Sequence, residues 1–120
     1  MRIVLSIAIL LCTGAATPAE PSCTEPPLPP PVDGTSVKPD QLRAAVAAAK
    51  GFIAESDVYQ NCLLSELDAA KTRASTEGHP LDPAVESQTR LKLAANQKIK
   101  EKVGTEINAA IDVFKKTHVK

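Results

Sequence analysis

Two long stretches of the chain repeat apolar or small residues at intervals of three and four, the spacing that places side chains on one face of an α-helix. In the first stretch these positions are Leu42, Val46, Ala49, Ile53, Ser56, Leu63, Leu67 and Ala70. In the second they are Val85, Leu93, Ile99, Val103, Ile107, Ala110 and Phe114, with the polar Asn96 on the same stripe. The pattern predicts two amphipathic helices, over about residues 39–75 and 83–117.

Residues at the ends of both stretches support these boundaries. Pro39 and Asp40 suit a first helical turn, because proline lacks an N–H that would have no partner there and an acid interacts favourably with the helix dipole. Gly78 is typical of a helix end. Asp82 followed by Pro83 is typical of an N-cap and the first helical residue. The segment between the helices is therefore predicted to be a short loop.

The two predicted helices have nearly equal lengths, and the short loop between them favours an antiparallel hairpin over residues 39–120. In such a hairpin, residues whose numbers sum to about 157 lie at the same height. For sums of 156 to 158, opposite charges meet at eight pairs and like charges at three. We predict an all-α fold, two long antiparallel helices preceded by an extended Pro-rich N-terminal arm over residues 20–38.

The arm is predicted from its prolines. Eight of the ten prolines lie between Pro18 and Pro39, and such a run favours polyproline II over a helix interior or a central strand. A stiff spacer is the simpler interpretation. A PxxP ligand is the alternative, because Pro26 and Pro29 have the required spacing.

Residues 1–19 have the pattern of a secretory signal peptide. Arg2 precedes an apolar run from Ile3 to Cys12, and small residues follow, so we expect cleavage after Ala16 or Ala19. The run is too short to span a bilayer comfortably. We therefore expect no stable membrane anchor after cleavage and a location in the periplasm or outside the cell.

Cleavage would remove Cys12 and leave Cys23 and Cys62. An even pair in an oxidising compartment favours a disulfide, with a free buried thiol or an intermolecular bridge as alternatives. The bridge is geometrically feasible. Sixteen residues of polyproline II reach about 50 Å, whereas the helix between residue 39 and Cys62 is about 35 Å long.

Two glycines inside the helices, Gly51 and Gly104, are almost level in this register. Glycine in a helix interior costs up to about 1 kcal/mol relative to alanine, so the pair predicts a close approach of the helices. Two unrelated glycines are the alternative.

Polar residues also share a height near the middle of the hairpin: Asp57, Tyr59, Gln60, Asn61, Asn96 and Gln97. A polar layer inside an apolar seam usually specifies the helix register at some cost in stability. A binding site at this layer is the alternative interpretation.

The stretch Phe52–Leu63, together with Asn96–Lys98 and with Val103–Gly104 before Asn108, resembles a group of short exported proteins from alphaproteobacteria. The resemblance covers the hairpin, about two-thirds of the chain. Because that group has no assigned activity, the resemblance implies a bacterial periplasmic setting and nothing catalytic.

Composition narrows the functional classes. The chain has 14 Lys and Arg against 14 Asp and Glu, so we expect no nucleic-acid partner, since phosphate contacts need an excess of basic residues. The aromatic residues are Phe52, Tyr59 and Phe114. So few rings provide no platform for base stacking and little material for a deep ligand pocket.

His79 in the predicted loop and His118 near the end of the second helix have no partners at catalytic spacing. We predict no enzymatic activity, no cofactor and no metal site. The leading hypothesis is an exported, non-enzymatic interaction or structural protein of the bacterial cell envelope, using the hairpin surface to bind a protein partner or a second copy. The alternatives are a periplasmic chaperone-like or stress-sensing hairpin that binds unfolded clients, and an enzyme using the polar layer.

Overall fold

The computed structural model describes residues 23–118, which form an extended arm and two helices and contain no β-strand. Helix α1 covers Pro39–Glu77 and helix α2 covers Pro83–His118, and the two pack against each other. The predicted all-α helical hairpin is confirmed, and the helices end two residues and one residue later than expected. The predicted signal peptide lies outside the described residues.

The loop between the helices is closed by backbone hydrogen bonds and a side-chain cap. Gly78 adopts a left-handed conformation with φ 76°, and the N–H of His79 donates to the carbonyl of Ala74 at 3.0 Å. This arrangement satisfies carbonyl groups that would otherwise lack partners at the helix end. At the start of α2, a carboxylate oxygen of Asp82 accepts from the N–H of Ala84 at 2.9 Å.

Two ion pairs between the helices show their register. Near the loop, Lys71 Nζ lies 3.7 Å from Glu86 Oε1. Near the middle, Lys100 Nζ lies 2.6 Å from Asp57 Oδ1. Both pairs have residue numbers that sum to 157, so the helices run antiparallel in the predicted register.

The arm contributes side chains to the core. One cluster joins Val37 of the arm to Leu42 of α1 and Ala110 of α2, and Val32 of the arm packs against it. A second cluster joins helix residues alone: Ala49, Phe52 and Val103, with Ile99 and Ile107 packed around them. The arm is therefore a third layer on this part of the hairpin.

The arm divides the hairpin into two parts. Its first described residue, Cys23, is bonded to Cys62, so the described arm runs alongside α1 between Cys62 and Pro39. We call residues 63–95, which lie beyond this point, the tip half. There α1 buries Leu63, Leu67 and Ala74, but α2 buries no residue between positions 83 and 95.

A glycine of the arm packs directly against the backbone of α2. A Cβ atom placed on buried Gly34 would overlap the carbonyl oxygen of Ala110 and lie 3.0 Å from Cβ of Val113. Only a residue without a side chain lets the arm contact α2 in this way.

The predicted close approach at Gly51 and Gly104 is wrong. A Cβ atom on either residue would meet nothing within 4 Å. Equal height does not make two residues face each other, because successive helix positions differ by about 100°. Their neighbours Phe52 and Val103 are the residues that turn inward and are buried.

We expect Gly34→Ala to lower the free energy of unfolding by about 1–3 kcal/mol, because the added methyl group forces the arm away from α2. Urea unfolding followed by circular dichroism measures this loss. Gly104→Ala is the matched control and should leave stability unchanged or raise it by up to about 1 kcal/mol. Equal effects of the two substitutions would contradict the close contact at Gly34.

Candidate functional site

A network of four polar side chains crosses the interface between the helices. Gln60 Nε2 lies 2.8 Å from Asn96 Oδ1 and 3.2 Å from Gln97 Oε1. Asn96 Nδ2 lies 3.4 Å from Ser56 Oγ. Three residues of the predicted polar layer therefore meet, and Ser56 joins them although the sequence analysis placed it in the apolar stripe.

The centre of the network is buried, Gln60 and Gln97 at its edge are half-buried, and its buried polar groups have partners. Asn96 is 1% exposed and Ser56 is 0% exposed. Throughout the described part of the chain, every buried side-chain nitrogen or oxygen has a hydrogen-bond partner. Sliding one helix past the other would leave these groups unpaired at a cost of about 1–3 kcal/mol each. The network therefore favours one register over its neighbours.

Two other residues of the predicted layer lie outside this network. Asp57 pairs with Lys100 at the exposed edge of the interface. Asn61 is exposed. The four side chains of the network, two of them buried and two half-buried, are amides and a hydroxyl, which orient a bound group but do not titrate near neutral pH.

Tyr59, the remaining member, is buried away from the network, near the disulfide end of the arm. Burial raises the pKa of its hydroxyl, and the negative charges of Glu25 and Glu66 raise it further. Glu25 belongs to the arm, so Tyr59 belongs to the contact between arm and helix rather than to the helix interface.

The arm is joined to α1 by three residues that we call the disulfide cluster: Cys23, Cys62 and Glu66. The predicted disulfide between Cys23 and Cys62 is present, with a Cα–Cα distance of 5.7 Å. The backbone N–H of Cys23 also donates to Glu66 Oε1 at 3.2 Å. The sequence analysis missed Glu66, although its position one helical turn after Cys62 is a signal that places both side chains on one face.

A groove of about 520 Å³ runs between the arm and α2. Arm residues 28–34 form one wall, α2 residues between Ile99 and Val113 form the other, and Ala45 and Ala49 of α1 line its floor. Its lining is aliphatic and proline-rich, apart from Asp33, Lys102 and Glu106. The sequence analysis did not predict the groove, because it depends on the path of the arm over the helices.

The two histidines lie far apart, His79 in the loop before α2 and His118 at its end. In the loop, hydrogen bonding to the carbonyl of Pro80 and then to Glu77 raises the pKa of His79. His118, in the last turn, stacks on Phe114 with ring centroids 4.0 Å apart. They cannot share a substrate or a proton.

No protein-family model, curated protein or solved structure matches this chain. Within residues 23–118, no helix combines the length and apolar character needed to cross a membrane. The contacts and surfaces described above are therefore the basis of the functional proposal.

We expect Asn96→Ala to lower the free energy of unfolding by about 2 kcal/mol, because it removes the partner shared by Gln60 and Ser56. Chemical denaturation of both proteins provides the comparison. Asn61→Ala removes the same side chain from an exposed position and should change stability by less than about 0.5 kcal/mol. If the two variants are equally stable, the buried network does not contribute to folding.

We expect Cys62→Ser to lower the free energy of unfolding by about 4 kcal/mol, the chain-entropy value for a loop of this length. The closed loop spans 39 residues. A non-reducing peptide map should recover the two cysteines in one linked pair. Reduced wild-type protein is the control and should unfold at the same denaturant concentration as the variant. If the reduced protein is as stable as the oxidised one, the disulfide does not contribute to the free energy of unfolding.

Proposed function

We propose that this protein is an exported, non-enzymatic interaction protein of the bacterial cell envelope that binds a protein partner through the tip half of its hairpin. The observation that carries the proposal is the exposure of large aliphatic side chains in residues 63–95. Leu91 is 69% exposed and Leu64 is 47% exposed. Val85, near the start of α2, is also exposed.

These side chains are exposed for a structural reason. Two helices have only one mutual interface, and apolar residues outside that interface need a third surface to leave water. In the part of the hairpin beside the described arm, Val32 and Val37 supply part of such a surface, although Val58 stays exposed there. A bound partner would supply it in the tip half, and burial of a leucine contributes about 1.5–3 kcal/mol.

Paired charges lie in the same part of the hairpin. Arg90 Nη2 lies 2.7 Å from Glu86 Oε1, and Lys71 approaches the same carboxylate from α1. The hydrogen bond from Arg90 and the charge of Lys71 lower the pKa of Glu86. An apolar contact with polar residues around it is the usual composition of a specific protein interface.

Two further features support the setting and the non-enzymatic class. The disulfide is typical of proteins in oxidising compartments, which agrees with the signal-peptide pattern of residues 1–19. The four side chains of the polar network are neutral and hydrogen-bonded to one another, and the histidines are far apart. Neither arrangement offers a general base aimed at an open cavity.

We expect Leu91→Ser and Leu64→Ser to reduce capture of the partner at least about tenfold, since each removes an apolar contact. The measurement is crosslinking in intact cells followed by mass spectrometry. Val58→Ser is the matched control, because Val58 is also 69% exposed but lies outside the tip half. All three substitutions should change the free energy of unfolding by less than about 0.5 kcal/mol.

The outcomes separate the competing functions. A partner lost in both tip-half variants and retained in the control supports the proposal, and light scattering then shows whether that partner is a second copy. Unchanged capture in both tip-half variants contradicts it. Suppression of client aggregation by the wild type and by all three variants alike would favour the chaperone-like alternative instead.

A further inference from the structure

We propose that reduction converts the disulfide cluster into a site for a borderline-soft divalent cation such as Zn²⁺, with Cys23, Cys62 and Glu66 as ligands. The inference concerns the junction of arm and helix. It does not rest on partner binding by the tip half.

A carboxylate oxygen of Glu66 lies beside the bonded pair of sulfur atoms. Both Sγ atoms and a carboxylate oxygen of Glu66 lie within 4.8 Å of one another. Zinc binds thiolate sulfur at about 2.3 Å and carboxylate oxygen at about 2.0–2.2 Å, so ligand atoms around one ion lie up to about 4 Å apart. Cutting the sulfur–sulfur bond lets the two sulfur atoms separate to this distance with little backbone movement.

Contacts other than the disulfide also attach the arm to the helices. The N–H of Cys23 donates to Glu66 at 3.2 Å. At the other end of the arm, Val37 is buried against Leu42 and Ala110. Two of the three ligands, Cys62 and Glu66, lie one turn apart on α1. The helix therefore needs no rearrangement for these two side chains to bind one ion.

The chemistry balances with a dithiol as the reductant. The dithiol passes two electrons and two protons to the disulfide, which becomes two thiols while the dithiol becomes a disulfide. The cation then binds both sulfur atoms as thiolates and releases their two protons. Glu66 is the third ligand, and water completes a tetrahedral site.

This ligand set selects among cations. Two thiolates favour Zn²⁺ and related soft or borderline ions, whereas Ca²⁺ and Mg²⁺ prefer oxygen ligands alone. The burial of the site is intermediate, because Cys23, Cys62 and Glu66 are all partly exposed. Ions can therefore reach it from solution. The disulfide attaches the arm to α1 under oxidising conditions, and the metal attaches it where a dithiol keeps both cysteines reduced.

The test uses the full chain, reduced with a dithiol, desalted without oxygen and titrated with Co²⁺ as a spectroscopic substitute for zinc. We expect one equivalent to produce thiolate-to-cobalt charge-transfer bands and the visible bands of a tetrahedral ion. Added Zn²⁺ should abolish both. Zinc should also raise the thermal unfolding temperature of the reduced protein, because the ion binds only the folded site. The affinity of the reduced protein for zinc should rise with pH, because the thiols lose their protons.

Glu66→Gln should weaken Zn²⁺ binding by the reduced protein at least about tenfold, because an amide is a poorer ligand than a carboxylate. Asp68→Asn is the matched control. Asp68 is exposed on the same helix. Because it lies two residues after Glu66, its side chain points to a different side of the helix. It should bind zinc as the wild type does.

Two comparisons would overturn the proposal. The first is a reduced protein that binds Co²⁺ no more tightly than oxidised wild type, which retains the disulfide and the native fold. The second is a Glu66→Gln variant that binds zinc as tightly as Asp68→Asn, since Glu66 would then not be a ligand.

Discussion

The structure depends on a simple constraint: two helices in contact cannot cover all of their apolar surface. The arm covers part of the remaining apolar surface, because it lies on the hairpin and adds a third layer of side chains. Val37 is buried with residues from both helices, and Gly34 lets the arm backbone touch α2. The bond between Cys23 and Cys62 ties the far end of the described arm to α1. A segment rich in proline serves well here, because it is stiff and does not compete to form a helix.

The end of the described arm separates two regions with different properties. Beside the arm, the hairpin has two buried clusters and a groove with aliphatic walls. In the tip half, α2 has no buried residue before Asn96, whereas beside the arm it buries Val103 and Ala110. The disulfide cluster lies at the boundary between these regions. The disulfide therefore attaches the arm at the point where the third layer ends.

Much of the fold and part of the site follow from local patterns in the sequence. Periodic apolar positions and the cap at Asp82 predicted both helices, and charge pairing predicted their register. The cysteine count predicted the disulfide. Of the polar layer, Gln60, Asn96 and Gln97 meet as expected. The other three predicted members do not, because height along a hairpin does not specify the direction in which a side chain points.

What remained was decided by the tertiary structure. The prediction from Gly51 and Gly104 was wrong because both side-chain positions point away from the helix interface, although the residues are level. The close contact at Gly34, the position of Glu66 beside the cysteines and the groove all depend on the path that the arm takes across the helices. Proline restricts the backbone angles of the arm but not its place on the hairpin. The sequence by itself therefore determined the helices, their register and the two cysteines able to pair, whereas packing against both helices determined where the arm lies, since those contacts join residues far apart in the chain.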